Sequence, residues 1–180
     1  MIYVTKEIEV NRGLSSGEPP LTRSQVWKGL VMKAENALPF VPGMAVCTVV
    51  ERFEDGLVRD IVFRGEGARE KITFRPEEKV TFVRLSGNAD GFIVKEILGT
   101  GDDLKLKFSF ALQLVDDASD SLAERDLRDA MERDYLKAVE ATVLAIRQMG
   151  AQGGAEPWST GSAPCIGRST PWRWTASSPT

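Results

Sequence analysis

Four charged residues lie on the apolar phase of four consecutive stretches in which apolar and polar residues alternate: Arg59, Glu70, Arg84 and Glu96. Side chains two residues apart in a β-strand point to the same face of the sheet, so each charge would share a face with large apolar side chains. Those neighbours include Phe63, Phe74, Phe82 and Phe92. Because an isolated buried charge is costly, the pattern predicts charges that neutralise one another or a bound molecule.

These charges support three interpretations. As a binding site, Arg59 and Arg84 would hold a ligand carboxylate or phenolate while the phenylalanines contact its apolar body. As a catalytic site, Glu70 or Glu96 would act as general acid or base, because burial favours the protonated form of a carboxyl group, with an arginine stabilising an enolate. As a structural feature, they would fix the register of the sheet, or lie in solvent if the phase of a strand is misassigned.

Turn positions determine which of these charges face each other. A turn at residues 76–78 would place Phe74 opposite Val80 and therefore Glu70 opposite Arg84, with Cβ atoms about 4.5–5.5 Å apart. A loop at residues 66–67, where Gly67 tolerates positive φ, would place Arg59 opposite Phe74. The register of Glu96 depends on how the loop at residues 87–90 closes.

Histidine is absent from all 180 residues. Its absence excludes Ser-His-Asp and Cys-His nucleophilic catalysis, histidine acid–base chemistry and nearly all catalytic zinc sites. The two cysteines, Cys47 and Cys165, are too few for a disulfide framework or a thiolate metal site. Cys47 lies in an apolar stretch typical of a buried, unreactive thiol. We expect neither a metal nor a cofactor.

The charge and hydropathy of the chain indicate which kinds of partner and which cellular location to expect. A net charge of −3 lacks the basic surplus that binds phosphates, so we expect no nucleic-acid partner. No apolar run approaches the ~20 residues of a membrane span, and the N-terminus MIYVTKEIEV is charged, unlike a signal peptide. These features predict a cytoplasmic protein with no membrane span, and they leave the oligomeric state open.

The element order predicts an α+β protein with a helix-grip fold. A strand at 2–10 precedes a helix at 23–36 that is capped by Thr22. A short apolar turn at 38–42 follows, which counts as a short second helix in the predicted order β-α-α-β6-α. Six strands joined by tight turns come next, the clearest being 104–114, and they predict a curved antiparallel meander. A helix of about 28 residues begins near Ser121 and ends at Gly150. We therefore expect one domain over residues 1–149, while the Gly/Ser/Pro/Trp tail at 150–180 is expected to be disordered.

A sheet of seven strands with one long covering helix predicts a cavity. A strongly twisted sheet curls around such a helix, and side chains would not fill the whole concave side. Phe108 of the last strand and Tyr135 of the last helix would join the lining. The cavity would hold a small hydrophobic ligand.

Several segments carry a resemblance to a known family, namely MIYVTKEIEVN, PPLTRSQVWKGLVMKA, GLVRDIVF, AREKITF and YLKAVEATVLAIRQM. With them the chain resembles the superfamily of START domains, Bet v 1-type allergens and polyketide aromatase/cyclases, and within it the AtaL branch. The resemblance covers roughly residues 1–149. It implies a cavity for hydrophobic ligands and leaves the activity open.

Three functions follow from the sequence. The first is a binding protein for a polyketide-, aromatic- or lipid-like molecule. The second is an aromatase/cyclase-type enzyme that orients a flexible substrate and moves protons with Glu70 or Glu96. The third is a protein-interaction or stress-related module that uses the tail, which contains Trp158, Trp172 and Trp174.

Overall fold

The computed structural model describes residues 2–14, 17–115, 137 and 139–148. The elements are β1 (Ile2–Glu9), α1 (Arg23–Glu35), β2 (Met44–Phe53), β3 (Gly56–Phe63), β4 (Glu66–Arg75), β5 (Lys79–Ser86), β6 (Ala89–Leu98), a 3₁₀ turn (Gly101–Asp103) and β7 (Lys105–Leu114). Residues 139–148 are helical and form the described part of the last helix.

The seven strands form one sheet in the order β1-β7-β6-β5-β4-β3-β2. All six neighbouring pairs are antiparallel. The predicted α+β helix-grip fold is therefore confirmed. Between α1 and β2 the apolar segment at 37–41 forms a hydrogen-bonded turn, in which Ala37 O accepts from the amides of Phe40 and Val41, instead of the short second helix of the predicted order.

The two helices and the sheet enclose one main apolar core. Leu57, Ile72 and Phe108 of the sheet are almost fully buried, and so are Leu30 of α1 and Val139 of the last helix. Residues of one phase are buried along β7, namely 106, 108, 110 and 112, and so is Leu104 directly before the strand. The core therefore lies between one face of the sheet and the helices.

Polar side chains fasten the start of α1. Thr22 and Gln25 form a capping box, with Gln25 N donating to Thr22 Oγ1 over 3.2 Å and Thr22 N donating to Gln25 Oε1 over 2.8 Å. Arg23 donates to the carbonyl oxygens of Glu77, Gly99 and Ile97 at 2.7, 2.9 and 2.7 Å. The start of α1 is thus tied to the β4–β5 turn and to the end of β6.

The turn between β3 and β4 differs from the predicted one. It is formed by Arg64 and Gly65, which have φ of 51° and 88°, and a tight hairpin of this kind requires positive φ at both central residues. The loop had been predicted one glycine later, at Gly67. The two-residue difference places Arg59 opposite Glu70, whereas the predicted partner was Phe74.

The buried face of β6 also differs from the prediction, which placed Phe92 and Glu96 inside. Phe92 is 43% exposed, whereas Lys95 is 6% exposed and Ile97 is 2% exposed. Apolar residues occur on both phases of β6, so its own sequence does not select a face. Pairing with β7 does, because Lys95 lies opposite the buried Phe108 and directly opposed side chains share a face.

Two further predictions lie outside the described residues: the start of the last helix and the tail at 150–180. The division into a domain at 1–149 and a tail stays a prediction. In the part of the chain that the structure describes, no helix is both long and apolar enough to cross a membrane.

Close packing of α1 on the last helix gives a stability prediction at Gly29. A Cβ added to Gly29 would collide with the side chain of Ile146. Alanine favours a helix over glycine by about 1 kcal/mol, but overpacking a core costs about 1–3 kcal/mol. We expect Gly29→Ala to lower the free energy of unfolding by about 1–2 kcal/mol in urea denaturation.

Gly67→Ala is the matched control, because a Cβ at Gly67 meets no atom within 4 Å. It should be neutral or slightly stabilising. A Gly29→Ala variant that is more stable than the wild type would show that the two helices are not in close contact at this position.

Candidate ligand-binding site

Arg59 and Glu70 form an ion pair on the covered face of the sheet. Arg59 Nε and Nη2 donate to Glu70 Oε2 at 2.9 and 2.8 Å. The residues are 5% and 2% exposed. Because β3 and β4 place them directly opposite each other, the sheet register itself creates the pair.

Arg59 also joins the sheet to the end of α1. Its Nη1 donates to Lys33 O at 3.0 Å and to Ala34 O at 2.8 Å. The last carbonyl groups of a helix carry partial negative charge and lack partners within the helix, so a cation there is favourable. The same nitrogen lies 3.6 Å from Sγ of Cys47, a thiol that is half-buried where the sequence predicted a fully buried one.

Arg84 is the second arginine next to Glu70, as the register of β4 and β5 predicted. Its Nε lies 3.3 Å from Glu70 Oε1. The contact is an ion pair without hydrogen-bond alignment, since Arg84 Nε is a buried side-chain atom with no hydrogen-bond partner in the described part of the chain. Glu70 therefore faces two arginines, of which Arg59 is the better aligned.

Two buried lysines complete this group of charges. Lys33 of α1 is 5% exposed, and its Nζ donates to Thr142 Oγ1 of the last helix over 2.6 Å. Lys95 of β6 is 6% exposed, and its Nζ lies 4.3 Å from the centre of the Phe82 ring. We call Lys33, Arg59, Glu70, Arg84 and Lys95 the buried charge cluster.

Sequence reasoning missed both lysines, although each had a signal. Lys33 follows Val26 by seven residues and Leu30 by three, so it lies on the buried stripe of α1, and a helix places such residues on one face. Lys95 would have been found from its partner in β7, Phe108, whose buried phase is unambiguous.

The surroundings of the lysines disfavour their charged forms. Burial, followed by repulsion from Arg59, lowers the pKa of Lys33 to about 7. Burial, followed by repulsion from Lys33 and Arg59, lowers the pKa of Lys95 well below its ordinary value, and attraction to Glu70 offsets only part of this. Near neutral pH the cluster therefore contains at least one amine, that of Lys33, that can gain or lose a proton.

Comparison with known proteins adds a family to this geometry. The model of the AtaL family, acetylaranotin biosynthesis cluster protein L, matches residues 8–153. The chain belongs to the AtaL family. The resemblance seen in the sequence is thereby confirmed.

Solved structures extend the relationship of this AtaL-family chain to a wider fold. It is similar to the Zhui aromatase/cyclase from Streptomyces sp. R1128, with a TM-score of 0.65 and 15% identity over 84% of this chain and 98% of that one. The di-domain ARO/CYC StfQ from the steffimycin biosynthetic pathway gives a TM-score of 0.63 and 12% identity, over 84% of this chain and 52% of that one. A START superfamily protein from Mycobacterium smegmatis gives a TM-score of 0.57 and 13% identity, over 83% of this chain and 99% of that one.

At these identities the similarity shows a shared fold. No curated protein matches the sequence of this AtaL-family member.

The other predicted site residues of this AtaL-family chain lie in different parts of the structure. Phe82 and Phe108 lie in the main core, and Phe74 packs against it. Phe63 is half-buried next to the guanidinium of Arg64, 5.3 Å from its ring centre, outside that core. Tyr135 lies outside the described residues.

Phe92 and Glu96 lie on the face of the sheet opposite to the cluster. Glu96 is 3.9 Å from Nζ of Lys107 and lines a surface groove of about 250 Å³ together with Arg23, Arg75 and Lys79. The prediction that Glu96 and Phe92 face the cavity with the other site residues is therefore wrong. The physical reason is the pairing of β6 with β7 described above.

Proposed function

We propose that this protein binds a small hydrophobic molecule between the sheet and the helices, with the buried charge cluster at the polar end of that molecule. One observation carries the proposal: four buried charged residues from α1, β3, β4 and β6, with the half-buried Arg84 of β5 beside them, are gathered at one place next to an apolar core. Groups of titratable residues whose charge states are strongly perturbed are typical of functional sites.

The composition of the cluster supports binding over a purely structural role. Four basic residues accompany a single carboxylate among the described residues. A structural network would be expected to balance its charges, because each uncompensated buried ion costs on the order of several kcal/mol. That cost is a large part of the stability of a typical domain. An arrangement with excess basic groups is better suited to a partner that arrives from solution.

The apolar part of the proposed site comes from aromatic side chains. Phe82 contacts two of the cations, with its ring centre 5.3 Å from Cζ of Arg59 and 4.3 Å from Nζ of Lys95. Phe74 packs edge-on against Trp27 of α1 at a centroid distance of 6.2 Å. Small-molecule sites commonly combine such apolar walls with a few polar groups. The ligand class that fits is a polyketide-, aromatic- or lipid-like molecule.

Native mass spectrometry of the protein purified from its own host, followed by organic extraction, tests the proposal. We expect a hydrophobic compound to be released in a stoichiometric amount. In parallel, the neutral dye N-phenyl-1-naphthylamine should gain fluorescence on binding and be displaced by the extract. A protein that carries no compound and leaves the dye unbound would contradict the proposal.

An aromatase/cyclase-type activity is the second candidate. The observation that favours it is Lys33, since an amine whose pKa is lowered to about 7 can take up and return protons near neutral pH. The catalytic roles predicted for Glu70 and Glu96 are less favoured, because two arginines occupy the first and the second lies on the other face. Loss of cyclisation of a poly-β-ketone in Lys33→Met, with dye binding retained, would support this activity over simple binding.

A further inference from the structure

Lys95 is the buried lysine of the cluster whose amine forms no hydrogen bond with a described residue. Its Nζ lies over the Phe82 ring, 4.3 Å from the ring centre. The residue is 6% exposed. A buried amine normally finds an acceptor, so this one is placed to donate to a group that the described residues do not supply.

The other cations of the cluster already have polar partners within the protein. Nε and Nη2 of Arg59 bond to Glu70, while its Nη1 bonds to two carbonyl groups of α1. Nζ of Lys33 bonds to Thr142. Arg84 lies against the second oxygen of Glu70, although its Nε forms no hydrogen bond in the described part of the chain. Lys95 has no carboxylate of its own, so it can form a new ionic hydrogen bond without breaking a contact between described residues.

The field around Lys95 favours a negative charge. Lys33 of α1 and Arg59 of β3 are close enough to repel its ammonium form, and Glu70 of β4 opposes them only in part. Phe82 of β5 and Phe108 of β7, which lies opposite Lys95, contribute no charge. An anion next to Lys95 would therefore be attracted by several cations in a region of low dielectric, where such interactions are strong.

We propose, building on the binding function above, that Lys95 binds the acidic group of the ligand, so that the protein selects organic anions over neutral molecules of the same shape. The ligand class is an aromatic or aliphatic acid with its apolar body against Phe82 and its anionic oxygen on Nζ of Lys95. This differs from the role predicted from the sequence for Arg59 and Arg84, whose donors hold Glu70 and α1.

Anion binding at this position is coupled to protonation. Because the pKa of Lys95 is lowered by burial and by the neighbouring cations, an anion that binds its ammonium form draws a proton from solution. The affinity for an anion therefore decreases as pH rises, by up to about tenfold per pH unit where the amine is neutral in the free protein. The affinity for a neutral ligand does not follow this dependence.

Two fluorescent probes with the same aromatic body test the proposal. 1-Anilinonaphthalene-8-sulfonate is an anion at all working pH values, whereas N-phenyl-1-naphthylamine lacks the sulfonate and is neutral. We expect the wild type to bind the anionic probe more tightly than the neutral one. Lys95→Met should lower the affinity for the anionic probe by about tenfold or more, which corresponds to the loss of an ionic hydrogen bond. Binding of the neutral probe should be unchanged, and Lys95→Arg should restore part of the preference.

Lys107→Met is the matched control, since Lys107 lies on the neighbouring strand and on the other face, paired with Glu96. It should bind both probes as the wild type does. Equal loss of both probes in Lys95→Met, or an unchanged preference for the anion, would overturn the role of Lys95. A wild type that binds neither probe would instead refute the proposed binding function.

Discussion

Glu70→Gln is expected to lower the free energy of unfolding by about 3–5 kcal/mol, the usual cost of removing one partner from a buried ion pair. The variant keeps the shape of the side chain and removes its charge. Arg59 would then lose the acceptor for two of its donors, and Arg84 would lose the carboxylate at 3.3 Å. The effect is large because Glu70 is the carboxylate that faces both arginines.

A second ion pair at the next register position is the control for this experiment. Asp60 lies opposite Arg69, and its Oδ1 and Oδ2 accept from Arg69 Nε and Nη2 at 2.7 and 2.8 Å. The two pairs have similar geometry, but the side chains of Arg69 and Asp60 are 50% and 41% exposed. Asp60→Asn should therefore change stability much less, because exposed pairs are well solvated.

Urea denaturation of the wild type, Glu70→Gln and Asp60→Asn measures the difference. Similar losses in the two variants would mean that Glu70 is not held in a buried pair. A double variant, Arg59→Met with Glu70→Gln, adds a further test. It should be more stable than the sum of the single losses predicts, because an unpaired buried charge is then no longer left behind.

Stability is expected to increase from about pH 7 to about pH 10, and Lys33 is the main reason. Its pKa is about 7 in the folded protein and about 10.4 in an unfolded chain. Between these values the unfolded chain binds a proton that the folded protein does not, so raising the pH favours folding. Below pH 7 both states are protonated, and the full cost of the buried charge is present.

Lys33→Met should remove most of this dependence. Across the window the shift corresponds to on the order of 4–5 kcal/mol, so the variant should gain most over the wild type at pH 6 and little at pH 10. Lys95 contributes with the same sign, because its pKa is also lowered, and part of the slope should remain. The absence of histidine leaves few other groups that titrate just above pH 7.

Urea denaturation at pH 6, 7, 8, 9 and 10 checks this prediction, with Lys28→Met as control because Lys28 is an exposed lysine of the same helix. The control should follow the wild type at each pH. If the free energy of unfolding changed with pH in the same way in the wild type and in Lys33→Met, Lys33 would remain charged in the folded protein. That result would contradict a pKa lowered by burial.

The sequence by itself determined the elements and several of their contacts. The helix predicted at 23–36 is α1, Arg23–Glu35, and Thr22 caps it as its position indicates. The β4–β5 hairpin has the predicted register, which places Glu70 opposite Arg84. These features depend on local signals, namely a period of two or of 3.6 and a single short turn, and such signals are complete within a few residues.

Tertiary structure alone decided which other charges join Glu70 and Arg84 in the cluster. The β3–β4 turn could have formed at either Gly65 or Gly67. It forms at Arg64 and Gly65, which both have positive φ, and this turn brings Arg59 opposite Glu70. Strand β6 is apolar on both phases, so only its pairing with β7 could place Lys95 inside and Glu96 outside. A side chain's burial depends on what packs against it, and this information lies in distant parts of the chain.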